Sequence, residues 1–397
     1  MERYMDFAED LKQRIRGVIG TEKDFVPLHV PEFHGREREL LIDCIDTGWV
    51  SSVGSYVDEF EAEVARLSGC AYGVVVANGT AALQVALIVA GVNAGDEVLM
   101  PALTFVATAN ATTHLGAVPH FVDSAYDTLG ICPERLRAHL EGVAEVRDGQ
   151  TVNRQTGRRI AAVLPMHVFG CPVDMDRLNA VLIDWPMEVV EDAAESLGST
   201  YKGQLCGSLG TAAAVSFNGN KIVTTGGGGA IVTNNEALAK RAKHLTTTAK
   251  LPHKWAFLHD EVGYNYRMPN LNAALGVAQL EQLDTRLAQK QRLFDAYADA
   301  LRGLNEVQLF HAPEGSVSNN WLVTLVLDPA HAKDRDHLLQ ELNDAGIMSR
   351  PIWTLMHRLP MYQSAPRADL TQAEDLEARV LNIPSSAYLG AREGAAA

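Results

Sequence analysis

The chain has 397 residues, of which 47% are hydrophobic and 21% charged, a composition that predicts a soluble globular protein with room for two domains. Its net charge of −15, from 34 basic and 49 acidic residues, argues against a general nucleic-acid or anionic-membrane binder. The sequence contains neither the apolar core of a signal peptide nor an apolar run long enough to span a bilayer. Its five cysteines, none at metal-ligand spacing, predict reduced thiols and no metal site. We therefore expect a cytoplasmic protein with neither a nucleic acid nor a membrane as a partner.

The first two thirds of the chain alternate between predicted helices and strands. An N-terminal helix and an extended segment precede helical periodicity over residues 35–70, which a loop over 47–54 interrupts. Six apolar runs then predict strands buried on both faces, at 73–77, 97–100, 118–122, 161–164, 188–190 and 213–217. Helical runs such as 80–91 and 104–114 separate several of them. This alternation predicts an α/β fold with a mostly parallel sheet between helices.

The later part of the chain predicts a second, smaller unit. The polar segment 145–158 predicts a surface hairpin or loop within the first unit, and not a linker. One long helix is predicted over 270–302, followed by a strand over 321–327 and a helix over 335–345. The predicted organisation is an N-terminal extension (1–30), a large domain (31–255), and a long helix with a small C-terminal α+β domain (256–397).

A turn at Gly79 and Thr80 follows the first apolar strand and opens a helix. The free N–H groups and the dipole of a helix N-terminus favour an anion such as a phosphate, and the Thr80 hydroxyl can add a donor. The plain alternative is an ordinary capped helix, because Asn78 and Thr80 are both common cap residues.

Asp192 ends another apolar strand, at the edge where open α/β sheets place their ligands. A carboxylate there can hold a pyridine nitrogen in its protonated form. The alternative is a helix cap, because the run that begins at Ala193 is helical and carries an acid in its first turn.

Lys221 lies between a strand that ends at Ser216 and the glycine run 226–229. A solvated surface lysine is the usual alternative, but glycines let the backbone approach a ligand closely. A lysine held in such a site can form an imine.

The phosphate turn, the strand-end aspartate and the lysine form an ordered set. Pyridoxal phosphate (PLP) requires these three parts, namely an anion site for its phosphate, a carboxylate for its ring nitrogen and an amine for its aldehyde. The sequence therefore predicts a PLP-dependent aminotransferase.

The chain resembles the sugar aminotransferases of the DegT/DnrJ/EryC1/StrS family, which have the fold-type-I architecture of PLP-dependent transferases. The resemblance covers about residues 27–384, and its marks are the segments 78–83, 95–98, 101–110, 191–194, 216–221 and 263–268. It implies that Lys221 bonds the cofactor and later moves the proton, and that Asp192 holds the ring nitrogen.

The resemblance also implies roles for other residues. Gly79, Thr80 and Ser216 would bind the phosphate, and Phe105 would stack on the ring, although a core position is its alternative. Glu195 stands where the family commonly has glutamine and would contact the ring hydroxyl. Asn265 would reach the phosphate of a neighbouring subunit's cofactor, which implies a homodimer with shared active sites.

A polar loop supplies two candidate substrate residues, Trp49 and Ser51. An aromatic side chain in a polar loop suits a substrate wall, and packing within the loop is the alternative. The loop and the segment 216–221 resemble the branch of the family that aminates 4-keto-6-deoxy nucleotide sugars.

The expected reaction moves an amino group from L-glutamate to the 4-keto group of a nucleotide sugar. Likeness to enzymes that form UDP-4-amino-4,6-dideoxy-N-acetylglucosamine favours a UDP-linked, N-acetylated substrate. The alternatives are a non-catalytic sensor that binds the sugar nucleotide or PLP, and a PLP-dependent deoxysugar dehydratase. The presence of Lys221 argues against the dehydratase, in which histidine replaces that lysine.

Overall fold

The computed structural model describes residues 2–21 and 23–391. Its helices are α1 (Glu2–Ile19), α2 (Glu37–Thr47), α3 (Ser55–Leu67), α4 (Gly79–Val89), α5 (Val106–His114), α6 (Pro133–Val143), α7 (Met175–Leu182), α8 (Glu236–Thr246), α9 (Asn270–Leu280), α10 (Leu283–Ala300), α11 (Arg335–Asp344) and α12 (Thr371–Arg379). Short 3-10 helices cover Val168–Gly170, Pro329–Asp334, Met356–Arg358, Pro360–Tyr362 and Ala387–Ala391.

The strands are β1 (Tyr72–Val76), β2 (Glu97–Pro101), β3 (Val118–Val122), β4 (Ala144–Arg147), β5 (Gln150–Asn153), β6 (Ile160–Val163), β7 (Glu188–Asp192), β8 (Thr200–Tyr201), β9 (Gln204–Leu205), β10 (Ala212–Ser216), β11 (Gly229–Thr233), β12 (Lys250–Leu251), β13 (Leu258–His259), β14 (Val307–Leu309), β15 (Ser316–Val317), β16 (Val323–Leu327), β17 (Arg350–Pro351) and β18 (Val380–Ile383).

A seven-stranded sheet forms the centre of the molecule, in the order β1-β11-β10-β7-β6-β2-β3. All neighbouring pairs are parallel except those of β11, which is antiparallel to both β1 and β10. The six strands predicted from the sequence are all present in this sheet, so the α/β prediction is confirmed. The sequence did not predict β11, because this strand begins at the last glycine of the run 226–229, and glycine-rich segments indicate turns and loops.

The sheet brings the predicted site segments to one edge. Strands β1 and β10 run in the same direction, since both are antiparallel to β11, and β7 is parallel to β10. Their carboxyl ends therefore meet at the same edge, where open α/β sheets place ligands. Helix α4 begins directly after β1 at this edge and is buried along most of its length, which fixes its first turn there.

The segment predicted as a surface hairpin or loop contains a hairpin, formed by the antiparallel pair β4 and β5. All five cysteines lie within the described residues and are free thiols, as predicted. None of the helices in residues 2–21 and 23–391 has the length and apolar content that crossing a bilayer requires.

A second, antiparallel sheet of four strands has the order β14-β16-β18-β17. Apolar side chains of this sheet form a buried cluster with helix α1. In this cluster Leu11 and Ile15 of α1 are fully buried, together with Leu293 of α10 and Leu338 of α11. The N-terminal extension thus packs with the C-terminal part of the chain. The three-part division stays a prediction, and residues 1, 22 and 392–397 within it lie outside the described residues.

The prediction of one long helix over 270–302 is wrong. Helix α9 ends at Leu280 and α10 begins at Leu283. The Gln282 amide between them donates to Glu37 Oε1 (2.8 Å), while Gln279 of α9 donates to the same oxygen (2.6 Å). A buried contact with α2 therefore holds the break. The apolar periodicity continues on both sides, so the break leaves no local signal in the sequence.

Candidate active site

A cavity of about 320 Å³ lies at the carboxyl edge of the central sheet. Seven of the ten residues predicted from the sequence line it together, namely Gly79, Thr80, Phe105, Asp192, Glu195, Ser216 and Lys221. They come from separate segments, spread over more than a third of the chain, which the parallel strands bring to one edge. Their individual roles stay predictions, whereas their common location is a feature of the fold.

The N-terminus of α4 lies at one end of the cavity. The Asn78 side chain caps α4 by accepting from Ala81 N–H (2.8 Å). Gly79 and Thr80 are the first helical residues, whose N–H groups have no partner within the helix. A Cβ on Gly79 would lie 2.9 Å from Ser216 Cβ, so only glycine lets the helix start this close to the strand end. The cap alternative is correct for Asn78, and it leaves the first N–H groups at the cavity.

The Asp192 carboxylate is almost completely buried, with 2% of the residue exposed. Its Oδ2 accepts from Thr108 Oγ1 (2.7 Å) and its Oδ1 accepts from Ala194 N–H (3.2 Å). Burial raises the pKa of Asp192, although both hydrogen bonds and the charge of Lys221 favour the ionised form. A positive group opposite this carboxylate would offset the cost of burying it.

Lys221 is not a solvated lysine, because only 12% of its side chain is exposed. Its Nζ lies 3.1 Å from Glu195 Oε1 and 3.8 Å from the centroid of the Trp321 ring. Glu195 Oε2 accepts from Phe169 N–H (2.9 Å), and burial raises the pKa of Glu195 to about 6. The amine is therefore held between a carboxylate and an indole face. Contact between Glu195 and a ring hydroxyl stays a prediction.

Aromatic side chains form one wall of the cavity. Phe105 directly precedes α5 and is 48% exposed. The alternative interpretation, that Phe105 is a core residue, is therefore wrong. The centroid of the Trp353 ring lies 6.2 Å from that of Phe105 and 4.8 Å from that of Phe169. This wall offers an exposed ring face against which a planar cofactor can stack.

Three predicted residues lie outside this lining. Trp49 lines a different cavity of about 520 Å³, together with Arg267 and the loop over 52–55. Ser51 is exposed, and its carbonyl accepts from Asn270 N–H (2.6 Å). Asn265 is also exposed and forms a bridge with Thr247. Their roles toward substrate or partner stay predictions.

Sequence reasoning missed three residues that shape the site. Thr108 lies four residues from Thr104, and this helical spacing within a recognised motif could have shown that both face inward. Trp321 lies a hundred residues beyond Lys221 in the chain and carries no local signal. Phe169 has a left-handed backbone (φ 54°, ψ 18°), which costs about 1–3 kcal/mol in a non-glycine residue. That conformation aims its N–H at Glu195.

The residues present fit PLP. The cavity offers a helix N-terminus for a phosphate, an exposed aromatic face for a ring, and a buried amine for an aldehyde. Asp192 and Glu195 place two carboxylates beside the single amine of Lys221, so a protonated ring nitrogen would balance the second negative charge. The fold and this cavity define a PLP-dependent transferase of fold type I.

Comparison with known proteins supports this class. The pattern of the DegT/DnrJ/EryC1/StrS aminotransferase family matches residues 31–394. The chain is 37% identical over 365 residues to a GDP-perosamine synthase of Caulobacter vibrioides, which covers 92% of this chain and 94% of that protein.

Two solved structures are similar to the fold. A DegT/DnrJ/EryC1/StrS aminotransferase from Brucella abortus has a TM-score of 0.80 and 27% identity, over 89% of this chain and 91% of that one. DesI, solved in the presence of its TDP-sugar product, has a TM-score of 0.80 and 29% identity, over 94% of this chain and 91% of that one.

The chain therefore belongs to the DegT/DnrJ/EryC1/StrS aminotransferase family. It is a PLP-dependent sugar aminotransferase, as the sequence predicted. The family match does not distinguish the branch expected from the sequence, which forms a UDP-linked amino sugar, from the other branches of the family.

One surface group could bind a metal ion. His244, Asp260 and Glu261 place one ligand atom each within 4.8 Å of one another. His244 is already paired with Asp260 (2.7 Å), and Arg241 is paired with Glu261. Because these partners already occupy the carboxylate oxygens, we interpret the group as a surface polar network and not as a metal site.

Glu195→Gln is expected to remove the acidic limb from the pH profile of kcat/KM. Burial raises the pKa of Glu195 to about 6, so the carboxyl becomes protonated as the pH falls through that value and loses its ion pair with Lys221. Wild-type activity should fall over this range, whereas glutamine does not titrate. Glu188→Gln, at the exposed start of β7, is the matched control and should keep the limb. An unchanged limb in Glu195→Gln would assign it to another group.

Proposed function

We propose that this enzyme transfers the amino group of L-glutamate to the keto carbon C4 of a 4-keto-6-deoxy sugar carried by a nucleotide. The observation that carries the proposal is the buried amine of Lys221, held 3.1 Å from Glu195 in a cavity that also contains Asp192 and a helix N-terminus. The names of the similar proteins, GDP-perosamine synthase and DesI with its TDP-sugar product, support a nucleotide sugar as the acceptor.

Each residue of the cavity has a separate role in the proposed reaction. PLP, when bound, supplies an electron-accepting ring that stores the amino group between the two substrates. Lys221 would take the proton from the carbon of glutamate that carries the amino group and pass it to the cofactor carbon that receives that group. In the second half of the reaction it would move a proton in the reverse direction, onto C4 of the sugar. Asp192 keeps the ring nitrogen protonated through its buried negative charge. Glu195 holds the Lys221 amine in place, and the aromatic wall excludes water from that side.

The similar proteins and the resemblance noted in the sequence favour different nucleotides on the sugar substrate. The sequence favours a UDP-linked, N-acetylated sugar, whereas a relative that matches 92% of this chain is named for a GDP-linked amino sugar. Because that relative matches over almost the whole length of both chains, we propose a GDP-linked sugar as the substrate. The 4-keto position and glutamate as the donor rest on the resemblance to the family branch.

Competition between two keto sugars tests this proposal. We expect kcat/KM with glutamate to be at least about tenfold higher for the GDP-linked than for the UDP-linked N-acetylated 4-keto-6-deoxy sugar. Product mass would confirm that an amine replaces the ketone. A preference for the UDP-linked sugar would contradict the choice of nucleotide, and turnover of neither sugar would contradict the proposed acceptor.

We further propose that each active site is shared between two copies of the chain. Asn265 does not line the active-site cavity of its own chain. It lies in a loop between Tyr264 and Tyr266, whose rings stack with their centroids 4.8 Å apart. The adjacent segment exposes Trp255 (79%) and Val262 (85%) to solvent. Large exposed apolar side chains are typical of an interface, and a second copy would cover them.

A mixing experiment tests the shared site. Lys221→Ala dimers should be inactive, and Asn265→Ala dimers should be weakly active. In a mixed dimer, one site would combine the intact Lys221 of one copy with the intact Asn265 of the other, so random exchange should restore about a quarter of wild-type activity. If both positions acted within one chain, mixing would restore nothing. Affinity tags on the two variants report exchange, and exchange without recovery would contradict the proposal.

A further inference from the structure

We propose that Trp321 is the positioning residue for the reactive amine of Lys221. Its indole ring lies 3.8 Å from Lys221 Nζ, measured to the ring centroid, and Trp321 lines the same cavity. The inference rests on the proposed role of Lys221 as the residue that bonds the cofactor.

Trp321 contacts both Lys221 and the residue that precedes it. Its ring face lies against the amine, and Glu195 Oε1 lies 3.1 Å from the same nitrogen. In addition, Trp321 Nε1–H donates to the carbonyl of Asn220 (2.8 Å), the residue before Lys221. The ring therefore restrains the end of the lysine side chain, and the indole N–H restrains the backbone from which that side chain starts.

The backbone of Trp321 is itself held from two sides. Its N–H donates to Asn319 Oδ1 (2.8 Å), and its carbonyl accepts from the buried Nζ of Lys290 (3.1 Å). The Asn319 amide also donates to the carbonyl of Glu195 (2.8 Å). Asn319 thus ties the backbone of Trp321 to that of Glu195, so the two groups that flank the lysine amine have a common support.

This arrangement fixes the amine when it is not bonded to the cofactor. In a transaminase the lysine is released while the cofactor carries the amino group, and a free lysine side chain has many rotamers. A cation over an indole face is attracted by the ring. Trp321 and Glu195 together keep Nζ at the place from which it must react.

The test measures two quantities separately. One is the rate at which Lys221 forms the covalent bond to the cofactor, which we call capture, and the other is the affinity of non-covalent binding. In the full-length protein freed of cofactor, Lys221 Nζ first gives up a proton to water. Its lone pair then attacks the aldehyde carbon of added PLP, a C=N bond forms, and the aldehyde oxygen leaves as water with the two remaining protons of the amine. Reduction with borohydride followed by peptide mass measures the rate of this capture. Pyridoxamine phosphate carries the same ring and phosphate but no aldehyde, so its dissociation constant measures binding alone.

Trp321→Leu is expected to slow capture roughly tenfold while the dissociation constant of pyridoxamine phosphate stays within about twofold of wild type. Trp321→Phe keeps a ring face but loses the N–H, and it should slow capture less. Trp185→Leu, outside the cavity, is the matched control and should capture at the wild-type rate. Circular dichroism checks folding, and Trp321→Phe decides the outcome if Trp321→Leu does not fold.

Two results would overturn the proposal. One is capture by the Trp321 variants at the wild-type rate. The other is a parallel loss of capture and of pyridoxamine phosphate binding, which would indicate a structural role for the tryptophan. Absence of a reduced adduct on Lys221 in the wild-type protein would instead contradict the proposed function, so the two failures are distinguishable.

Discussion

Replacing Lys221 by alanine is expected to abolish transamination, with a loss of at least about a thousandfold in kcat. The variant lacks the amine that bonds the cofactor and moves the proton, and no other residue that the structure places in the cavity lining is a lysine. The fold should survive, because the contacts that are lost are those with Glu195 and the Trp321 ring. The rate of 2-oxoglutarate formation from glutamate measures the effect.

The matched control is Lys202→Ala, because Lys202 lies at the surface and pairs with Asp176. This variant should keep wild-type turnover. A small amine such as methylamine, added to both variants, should restore part of the activity to Lys221→Ala only. Near wild-type turnover by Lys221→Ala without added amine would contradict the assignment of this residue.

Asp192→Asn is expected to lower the rate by about a hundredfold or more, which corresponds to at least about 3 kcal/mol of activation free energy. The reason is loss of the buried negative charge that keeps the ring nitrogen protonated. Single-turnover reaction with glutamate, followed by absorbance of the cofactor, isolates the affected step from product release.

This substitution also separates the two interpretations of Asp192. Asparagine keeps a side-chain oxygen that can accept from Ala194 N–H and Thr108 Oγ1, as Asp192 does. No helix begins at Ala193, so the helix-cap alternative is wrong, and Asp192 accepts from Ala194 N–H within a turn. A residue that served only to hold this turn would tolerate the change to asparagine, and an unchanged rate would leave Asp192 in that role. Asp184→Asn, at the exposed surface, controls for loss of one negative charge.

Much of the site could be predicted because its residues lie at the ends of buried strands. Gly79, Asp192 and Ser216 each follow an apolar run, and parallel strands must bring their carboxyl ends to one edge. The alternation of apolar runs and helices predicted the order of the layers. Local patterns were therefore sufficient wherever the position of a residue along an element determined its place in the fold.

Features that depend on contacts between distant segments could not be predicted in this way. The break after Leu280 is held by a hydrogen bond from Gln282 to Glu37, and α1 packs with helices that lie about three hundred residues away in the chain. Trp321 reaches Lys221 from the C-terminal part of the chain, where a tryptophan before a strand predicts only a core residue. These pairings arise from tertiary packing and leave no periodic pattern.

Transfer of an isotopically labelled amino nitrogen tests the central claim most directly. The holoenzyme would be incubated with L-glutamate labelled at its amino nitrogen and with a GDP-linked 4-keto-6-deoxy sugar, and the sugar nucleotide would be analysed by mass spectrometry. The account predicts an amino sugar nucleotide that carries the label and an equal amount of 2-oxoglutarate. Recovery of the unchanged keto sugar, or of a deoxygenated product without the label, would contradict it.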